Sequence, residues 1–246
     1  MLNLPKLIGH RGVKNLSPEN TTDSIEKAYV LGLKWVEVDV KISKDQIPIL
    51  LHDDTLNRTT NGLGIPANYD YIDLKKLDAG RFFYKYPTKI YIPTLEEILL
   101  YCSKKKIGIN IEIKPNSGYE KENVNSIVSL LKKINFTNYY FSSFHLPSLI
   151  EIKKQIPNSN CGILVNEFKN DFKLEDIINI CEKYNFFSCG FELDIVNYEI
   201  VKILKLNNLI STVYSSNNIK INSAKKLWSI GVQSIFIDDP TEYSIF

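Results

Sequence analysis

The chain has 246 residues, of which 44% are hydrophobic and 24% are charged. This composition is sufficient for a complete apolar core, and it excludes disordered, collagen-like and fibrous proteins. Thirty basic and twenty-eight acidic residues leave a formal charge of +2, and the longest basic run is only Lys104 to Lys106. No concentrated positive charge therefore indicates a nucleic-acid partner.

The first predicted element is a strand over residues 6–9, and the residues before it lack the apolar core of a signal peptide. No segment approaches the roughly 18 consecutive apolar residues of a membrane span. We therefore expect a cytoplasmic protein with no stable membrane insertion. The four cysteines have no metal-binding spacing, so we expect reduced thiols in the core.

A helix over about 20–31 and a strand over 35–41 come next, and a further strand over 47–52 follows after a few residues. A parallel crossover needs about a dozen residues or more, so this further strand must return antiparallel. A two-residue turn at Asp45 and Gln46 would place Asp39 opposite His52. A three-residue loop would shift that pairing by one residue.

Residues 54–92 are rich in Gly, Asn, Asp and Tyr, and they contain only a short helical pattern near 74–77. Loops of this length are uncommon in compact domains and are often functional. We interpret the segment as a small insertion at the mouth of an α/β barrel. The next helix is expected to begin at Pro93 and Thr94.

The second half of the chain alternates short β-branched runs with amphipathic segments of helical period. The predicted strands are 108–114, 139–143, 161–165, 188–192, 209–213 and 234–238, and the predicted helices are 122–134, 147–155, 174–184, 196–205 and 221–230. Such alternation indicates parallel strands with helical crossovers. With the two earlier strands the count is eight, and we expect one α/β barrel domain over residues 1–246.

Two of the three histidines follow predicted strands. His10 comes directly after the first strand, and His52 ends the hairpin. Active sites of α/β barrels lie at the carboxyl ends of the strands. Two histidines at such ends are best interpreted as an acid–base pair, because their pKa lies near working pH. His145, which has no matching acid, is expected to be a helix-start or mouth residue.

Three acidic residues are expected to share the interior of the barrel. Glu37 and Asp39 lie two residues apart on one strand, so their side chains share a face, and Glu112 has the same setting near the end of another strand. The alternative is that these residues face solvent or pair with lysines. Three carboxylates without cysteine favour magnesium or calcium over zinc.

Two cations accompany these groups. Arg11 follows His10, and Lys114 ends the strand that carries Glu112. A guanidinium fork and an ammonium point charge suit phosphate oxygens, although either side chain could instead be a plain surface cation. Their position beside the histidines favours an anionic, phosphate-bearing substrate.

Together these motifs resemble the glycerophosphodiester phosphodiesterases over nearly the whole chain. The resemblance is carried by residues 9–12 (GHRG), 18–21 (PENT), 37–40 (EVDV), 52–53 (HD), 56–60 (LNRTT), 77–80 (LDAG), 92–97 (IPTLEE), 111–114 (IEIK) and the closing segment 231–240.

The resemblance implies a TIM-type (β/α)8 barrel with a β-hairpin and a small insertion after the second strand. It also implies a divalent cation, and hydrolysis of glycerophosphodiesters to glycerol 3-phosphate and an alcohol. The implied roles are catalytic for His10 and His52, substrate-binding for Arg11 and Lys114, and metal-binding for Glu37, Asp39 and Glu112. We expect a small-molecule substrate and one Mg²⁺ or Ca²⁺ ion.

One departure concerns the penultimate strand, where family members commonly have Trp-Thr-Val-Asn and this chain has Ser211 to Tyr214. An aromatic wall for the glycerol group would then be absent, or supplied by Tyr214, Phe82 or Phe83. Two alternative functions are a lysophospholipase D-like phosphodiesterase and a non-catalytic barrel that binds a phosphate metabolite. No amphipathic basic helix supports the membrane contact that the first alternative needs.

Overall fold

The fold is that of a computed structural model, which describes residues 2–168 and 173–243. Strands β1 to β9 are Leu7–Gly9, Trp35–Ile42, Pro48–Leu50, Gly108–Ile113, Tyr139–Ser143, Cys161–Val165, Ser188–Glu192, Ile210–Tyr214 and Ser234–Ile237. Helices α1 to α9 are Thr22–Val30, Tyr71–Leu74, Arg81–Tyr84, Leu95–Lys105, Glu120–Leu131, Leu146–Gln155, Leu174–Tyr184, Tyr198–Leu206 and Ile221–Ser229. Every strand and helix predicted from the sequence overlaps one of these elements.

Eight of the strands form a closed parallel barrel. Their order is β1-β9-β8-β7-β6-β5-β4-β2, and a pairing between β1 and β2 closes the ring. Strand β3 lies outside the ring and pairs antiparallel with β2. The predicted TIM-type barrel with a hairpin after the second strand is therefore confirmed.

Strand β2 shows how the sequence builds the two faces of the barrel wall. Val36, Val38 and Val40 belong to the main apolar core between the barrel and its helices. The alternate residues Glu37 and Asp39 must then point into the barrel, because successive strand side chains alternate in direction. Both carboxylates are almost completely buried, as the predicted shared face requires.

The predicted hairpin register is wrong by one residue. Val40 pairs with Leu50, so Asp39 lies opposite Leu51 and not His52. The loop has three residues, and its last residue, Gln46, adopts the left-handed conformation with φ of 60° that such loops use. Ser43 stabilises this loop, because its hydroxyl donates to Asp45 Oδ1 at 2.5 Å and accepts from the Ile47 amide at 3.0 Å.

Residues 54–92 carry a 3-10 turn at Pro66–Asn68 and the short helices α2 and α3. A small apolar cluster anchors the segment to the barrel. Leu56, Leu74 and Ile92 are fully buried there against Ile49 and Leu51. This cluster is separate from the main core, so the segment has its own apolar support beside the hairpin.

All four cysteines are free and buried, as expected for core thiols. Burial raises the pKa of Cys102 to about 12 and that of Cys161 to about 11. No helix among residues 2–168 and 173–243 is long and apolar enough to cross a membrane.

Candidate active site

A cavity of about 430 Å³ opens at the carboxyl ends of the barrel strands. Six of the seven side chains predicted from the sequence line it: His10, Arg11, Glu37, His52, Glu112 and Lys114. The seventh, Asp39, is buried beside the same group of carboxylates. The structure thus brings together residues that lie more than a hundred positions apart in the chain.

The three predicted metal ligands converge inside the barrel. Strand pairing places Asp39 beside Glu112, and carboxylate oxygens of Glu37, Asp39 and Glu112 lie within 4.8 Å of one another. Glu37 Oε1 is buried and accepts no hydrogen bond. Burial, followed by repulsion from Asp39, raises the pKa of Glu37 well above its usual range, and burial raises that of Glu112 to about 7.

These features fit a divalent cation. Three clustered carboxylates are a hard oxygen donor set of the kind that magnesium and calcium prefer. The unpartnered oxygen of Glu37 supplies a free lone pair, and a bound cation would remove the repulsion that raises the two carboxyl pKa values.

Asp39 is held ionised by its neighbours. Burial alone would raise its pKa, but the charges of Arg11 and Lys114 lower it below the usual range for an aspartate. The Asn20 side chain holds both the carboxylate and the backbone of Asp39, because its Nδ2 donates to Asp39 Oδ2 at 2.8 Å and its Oδ1 accepts from the Asp39 backbone amide at 3.0 Å. Asn20 has a φ of 56°, which asparagine tolerates better than most residues.

His10 is oriented by the last strand of the barrel. Its Nδ1 donates to Asp238 Oδ1 at 2.7 Å, and its Nε2 lies 4.0 Å from Glu37 Oε2. Burial lowers the pKa of His10 to about 4, and the hydrogen bond that His10 donates to Asp238 only partly offsets this. A neutral ring whose Nδ1 proton is bound by Asp238 leaves an unprotonated Nε2 beside the carboxylates.

Arg11 links the first strand to the carboxylate cluster. Its backbone is left-handed, with φ of 52°, and its amide donates to Glu37 Oε2 at 2.8 Å. The guanidinium contacts Glu19 at 2.9 Å and Asp39 at 3.2 Å. Burial opposes the charge, yet these carboxylates raise the pKa of Arg11 above its usual value, so a full cation faces the cavity.

His52 is held by a chain of charged groups that begins in the 54–92 segment. Its Nδ1 contacts Asp53 Oδ1 at 2.7 Å, and Asp53 accepts two hydrogen bonds from Arg58, at 2.6 and 2.8 Å. Arg58 in turn donates two bonds of 2.7 Å to Glu19, which also contacts Arg11. This series of contacts connects His52 with Arg11. The segment that follows His52 therefore helps to set the position of the His52 imidazole.

Lys114 contacts two of the carboxylates, with its ammonium 3.2 Å from Glu112 and 3.6 Å from Asp39 Oδ1, whereas Arg11 contacts Asp39 Oδ2. Lys41 packs nearby, fully buried, and donates to Asp54 at 2.9 Å and to the Lys114 carbonyl at 3.0 Å. The pair of Lys41 and Asp54 therefore fixes the backbone from which the Lys114 side chain extends.

Aromatic side chains form part of the remaining wall of the cavity. Phe144 and Tyr214 line it with their rings in edge contact, 5.5 Å apart, and Tyr214 donates to the Val165 carbonyl at 2.9 Å. Ser211, where family members commonly have tryptophan, does not line the cavity, and neither does Phe82 or Phe83. Ser211 lies on the other face of β8 from Tyr214, so the departure there removes no aromatic wall.

His145 is a helix-start residue, as expected. It precedes the first residue of α6, and its Nδ1 contacts the Ser148 hydroxyl at 2.8 Å. It does not line the cavity that contains His10 and His52.

Sequence reasoning missed the groups that hold the catalytic candidates in place. These are Glu19, Asn20, Lys41, Asp53, Asp54, Arg58 and, as the partner of His10, Asp238. Several lie in the motifs already noted, so the signal was present, but nothing in their spacing showed which side chain each would contact.

Comparisons with known proteins agree with this geometry. The family model described as "Glycerophosphoryl diester phosphodiesterase family" matches residues 10–242. A glycerophosphodiester phosphodiesterase from Bacillus altitudinis is 32% identical over 242 residues, which cover 96% of each chain. Another from Bacillus subtilis is 30% identical and covers 95% of this chain and 83% of the relative.

The fold also matches a solved enzyme structure. A phosphodiesterase from Oleispira antarctica, in complex with the product sn-glycerol-3-phosphate, superimposes with a TM-score of 0.87 and 32% identity. The match covers 96% of this chain and 93% of the other.

Proposed function

The chain belongs to the glycerophosphoryl diester phosphodiesterase family and is a phosphodiesterase, and on that premise we propose that it is a metal-dependent enzyme with two catalytic histidines. Its substrates would be glycerophosphodiesters, which it would hydrolyse to glycerol 3-phosphate and an alcohol. The observation that carries the proposal is the single cavity in which His10 and His52 meet two cations and the carboxylate cluster.

In this proposal Glu37, Asp39 and Glu112 hold one Mg²⁺ or Ca²⁺ ion. When bound, such an ion supplies positive charge that polarises the phosphoryl group. The chain already provides the conditions for binding, because Asp39 is kept ionised by Arg11 and Lys114. The raised pKa values of Glu37 and Glu112 mean that binding an ion would displace protons from this cluster.

Arg11 and Lys114 bind the phosphate in this scheme. Arg11 offers a planar fork for two oxygens, and Lys114 offers a point charge in the same cavity. Both cations are pre-positioned by carboxylate contacts, so little side-chain ordering is needed when the substrate arrives.

His10 acts as the general base. Its Nδ1 proton is bound by Asp238, and its low pKa keeps Nε2 free to accept a proton at neutral pH. This arrangement also prevents ring rotation, so the accepting nitrogen stays directed toward the carboxylate cluster.

His52 acts as the general acid that protonates the departing alcohol. Burial, together with the charges of Arg11 and Lys114, lowers the pKa of His52 below its ordinary value, and the charge of Asp39 and the hydrogen bond to Asp53 offset this only in part. Its side chain is 28% exposed against 13% for His10, so His52 is the better placed of the two to regain a proton from water between turnovers. The two rings thus have different environments, as different proton-transfer roles require.

The attacking group comes from outside the protein. The cavity lining includes Ser215 and Ser216, but neither contacts His10 or His52 in the way a nucleophilic serine contacts its base. A glycerophosphodiester carries a hydroxyl on the carbon adjacent to the one that bears the ester oxygen. His10 would take the proton of that hydroxyl as its oxygen attacks phosphorus, the alcohol would leave with a proton from His52, and water would then open the five-membered cyclic phosphate.

A substrate pair tests this scheme. We expect glycerophosphocholine to be cleaved, and its analogue without the neighbouring hydroxyl to bind as a competitive inhibitor with almost no cleavage. The measurement is choline release together with the inhibition constant of the analogue. Cleavage of the analogue near the parent rate would leave water as the nucleophile, and failure to cleave either compound would overturn the proposed function.

As part of the same proposal, residues 1–246 form one barrel domain in which 54–92 is an insertion. The cytoplasmic location expected from the sequence also stays a prediction.

A further inference from the structure

The 54–92 segment exposes a row of aromatic side chains within residues 81–89, which we call the aromatic loop. Phe82 is 54% exposed, Phe83 is 39% exposed and Tyr86 is 59% exposed. The rings of Phe83, Tyr84 and Tyr86 form a continuous row, because the centroid of Tyr84 lies 5.0 Å from that of Phe83 and 5.6 Å from that of Tyr86. A contiguous exposed apolar patch of this kind marks a surface that contacts a partner.

The aromatic loop is preformed. The Asp78 carboxylate accepts from the amides of Gly80 and Arg81 at 2.9 and 3.0 Å, and from the amide and hydroxyl of Thr88, each at 2.5 Å. The half-buried Asp78 carboxylate therefore holds the two ends of the loop together. Because the loop needs no further ordering, it presents its rings to a partner at low conformational cost.

The charge of the aromatic loop is entirely positive. Arg81, Lys85 and Lys89 are its charged residues, and none of them forms an ion pair with another residue in the described ranges 2–168 and 173–243. The preceding Lys75 and Lys76, in contrast, are paired with acidic neighbours. The three loop cations are thus available to an anionic partner.

We propose that the aromatic loop docks the enzyme on the surface of an anionic lipid bilayer. Aromatic side chains are enriched at the headgroup level of a bilayer. Unpaired lysine and arginine side chains are attracted to anionic headgroups. A folded protein partner could also bind exposed aromatic rings. The charged residues within 81–89 are all positive, however, and this matches the uniform negative charge of an anionic bilayer. The contact is peripheral, because no described helix can span a membrane.

Docking through this loop would orient the active site. The same segment is joined to the mouth of the barrel by Arg58, which holds Asp53, and by Asp54, which pairs with Lys41. A membrane-bound loop would therefore be rigidly connected to the residues beside His52.

Vesicle flotation tests the inference with the full chain. We expect the protein to bind vesicles of phosphatidylcholine with phosphatidylglycerol, to bind pure phosphatidylcholine weakly, and to be released by high salt. Phe82→Ser with Phe83→Ser, and separately Lys85→Glu with Lys89→Glu, should each weaken binding about tenfold or more. The same variants should cleave soluble glycerophosphocholine at the wild-type rate, which shows that they are folded.

Two matched controls test whether the loop itself is responsible. Leu206→Ser removes an apolar side chain that is 74% exposed on α8, and Lys104→Glu with Lys106→Glu reverses two charges at the end of α4. Neither should change vesicle binding. No binding to anionic vesicles, or equal losses in the controls, would overturn the inference. If the protein does not bind vesicles but forms a dimer in solution, and the loop variants dissociate that dimer, the loop is a self-association surface and the inference is overturned.

Discussion

Replacing His10 or His52 with alanine is expected to lower kcat at least about 10²-fold for glycerophosphocholine, because each removes a general acid or base worth about 10²- to 10⁴-fold. His145→Ala is the matched control. His145 lies outside the cavity and contacts Ser148, so its loss should have little effect on kcat. Steady-state kinetics with all three variants, checked for folding by thermal denaturation, makes the comparison.

The leaving group separates the two roles. A p-nitrophenyl ester departs without a proton, so His52→Ala should lose much less activity with a glycerophospho-p-nitrophenyl substrate than with glycerophosphocholine. His10→Ala should be equally impaired with both, because its role concerns the attacking hydroxyl. The reverse pattern would make His10 the general acid and His52 the general base. If His145→Ala lowered kcat as much as the other two substitutions, the assignment of the active site to this cavity would be contradicted.

Removal of divalent cations is the second change with a large expected effect. Glu37, Asp39 and Glu112 converge within 4.8 Å in a buried site, and without a cation their charges repel one another. Exhaustive chelation should abolish turnover, and magnesium or calcium should restore it. The same ions should raise the melting temperature of the chelated protein, because binding to the folded state stabilises it. Full activity after chelation would contradict metal dependence.

Glu112→Gln tests the donor set. The substitution preserves the shape of the side chain but removes a charge, so cation affinity should fall at least about tenfold while the cation-free protein becomes no less stable. Glu26→Gln, an exposed change on α1, is the control and should leave cation affinity unchanged. Isothermal titration of magnesium and calcium into each protein measures the difference.

The shared faces of β2 and β4 could be predicted from sequence because alternation along a strand follows directly from backbone geometry. Glu37 and Asp39 had to point to one face of β2, with Val38 and Val40 on the other face, and the structure confirms this. The carboxyl ends of parallel strands meet at one rim, so His10 and Glu112 were expected there together. These inferences need only local periodicity and the direction of each strand.

Contacts that depend on loop conformation could not be predicted in the same way. The hairpin register shifted by one residue because Gln46 adopts a left-handed conformation, which no local pattern required. Arg58 reaches Asp53 and Glu19 across a folded insertion, and Asp238 meets His10 only when the barrel closes. Each contact joins segments whose relative position is set by tertiary packing.

The exposed rings of the aromatic loop were missed for a related reason. These rings do not follow a helical period, so a search of the sequence for an amphipathic basic helix does not find them. Phe82 or Phe83 was one of the alternatives for the aromatic wall beside the glycerol group, but both side chains are exposed and neither lines the cavity. Their exposure depends on how Asp78 folds the loop around itself.

The central claim, that this chain cleaves glycerophosphodiesters on the alcohol side of phosphorus, is tested most directly by ³¹P NMR of the products. The substrates are glycerophospho-choline, -ethanolamine, -inositol and -glycerol, with a lysophospholipid alongside, each with magnesium or calcium. We predict that the glycerophosphodiesters yield glycerol 3-phosphate and the free alcohol. Release of phosphocholine with free glycerol, cleavage of the lysophospholipid alone, or no product with any metal would contradict the claim.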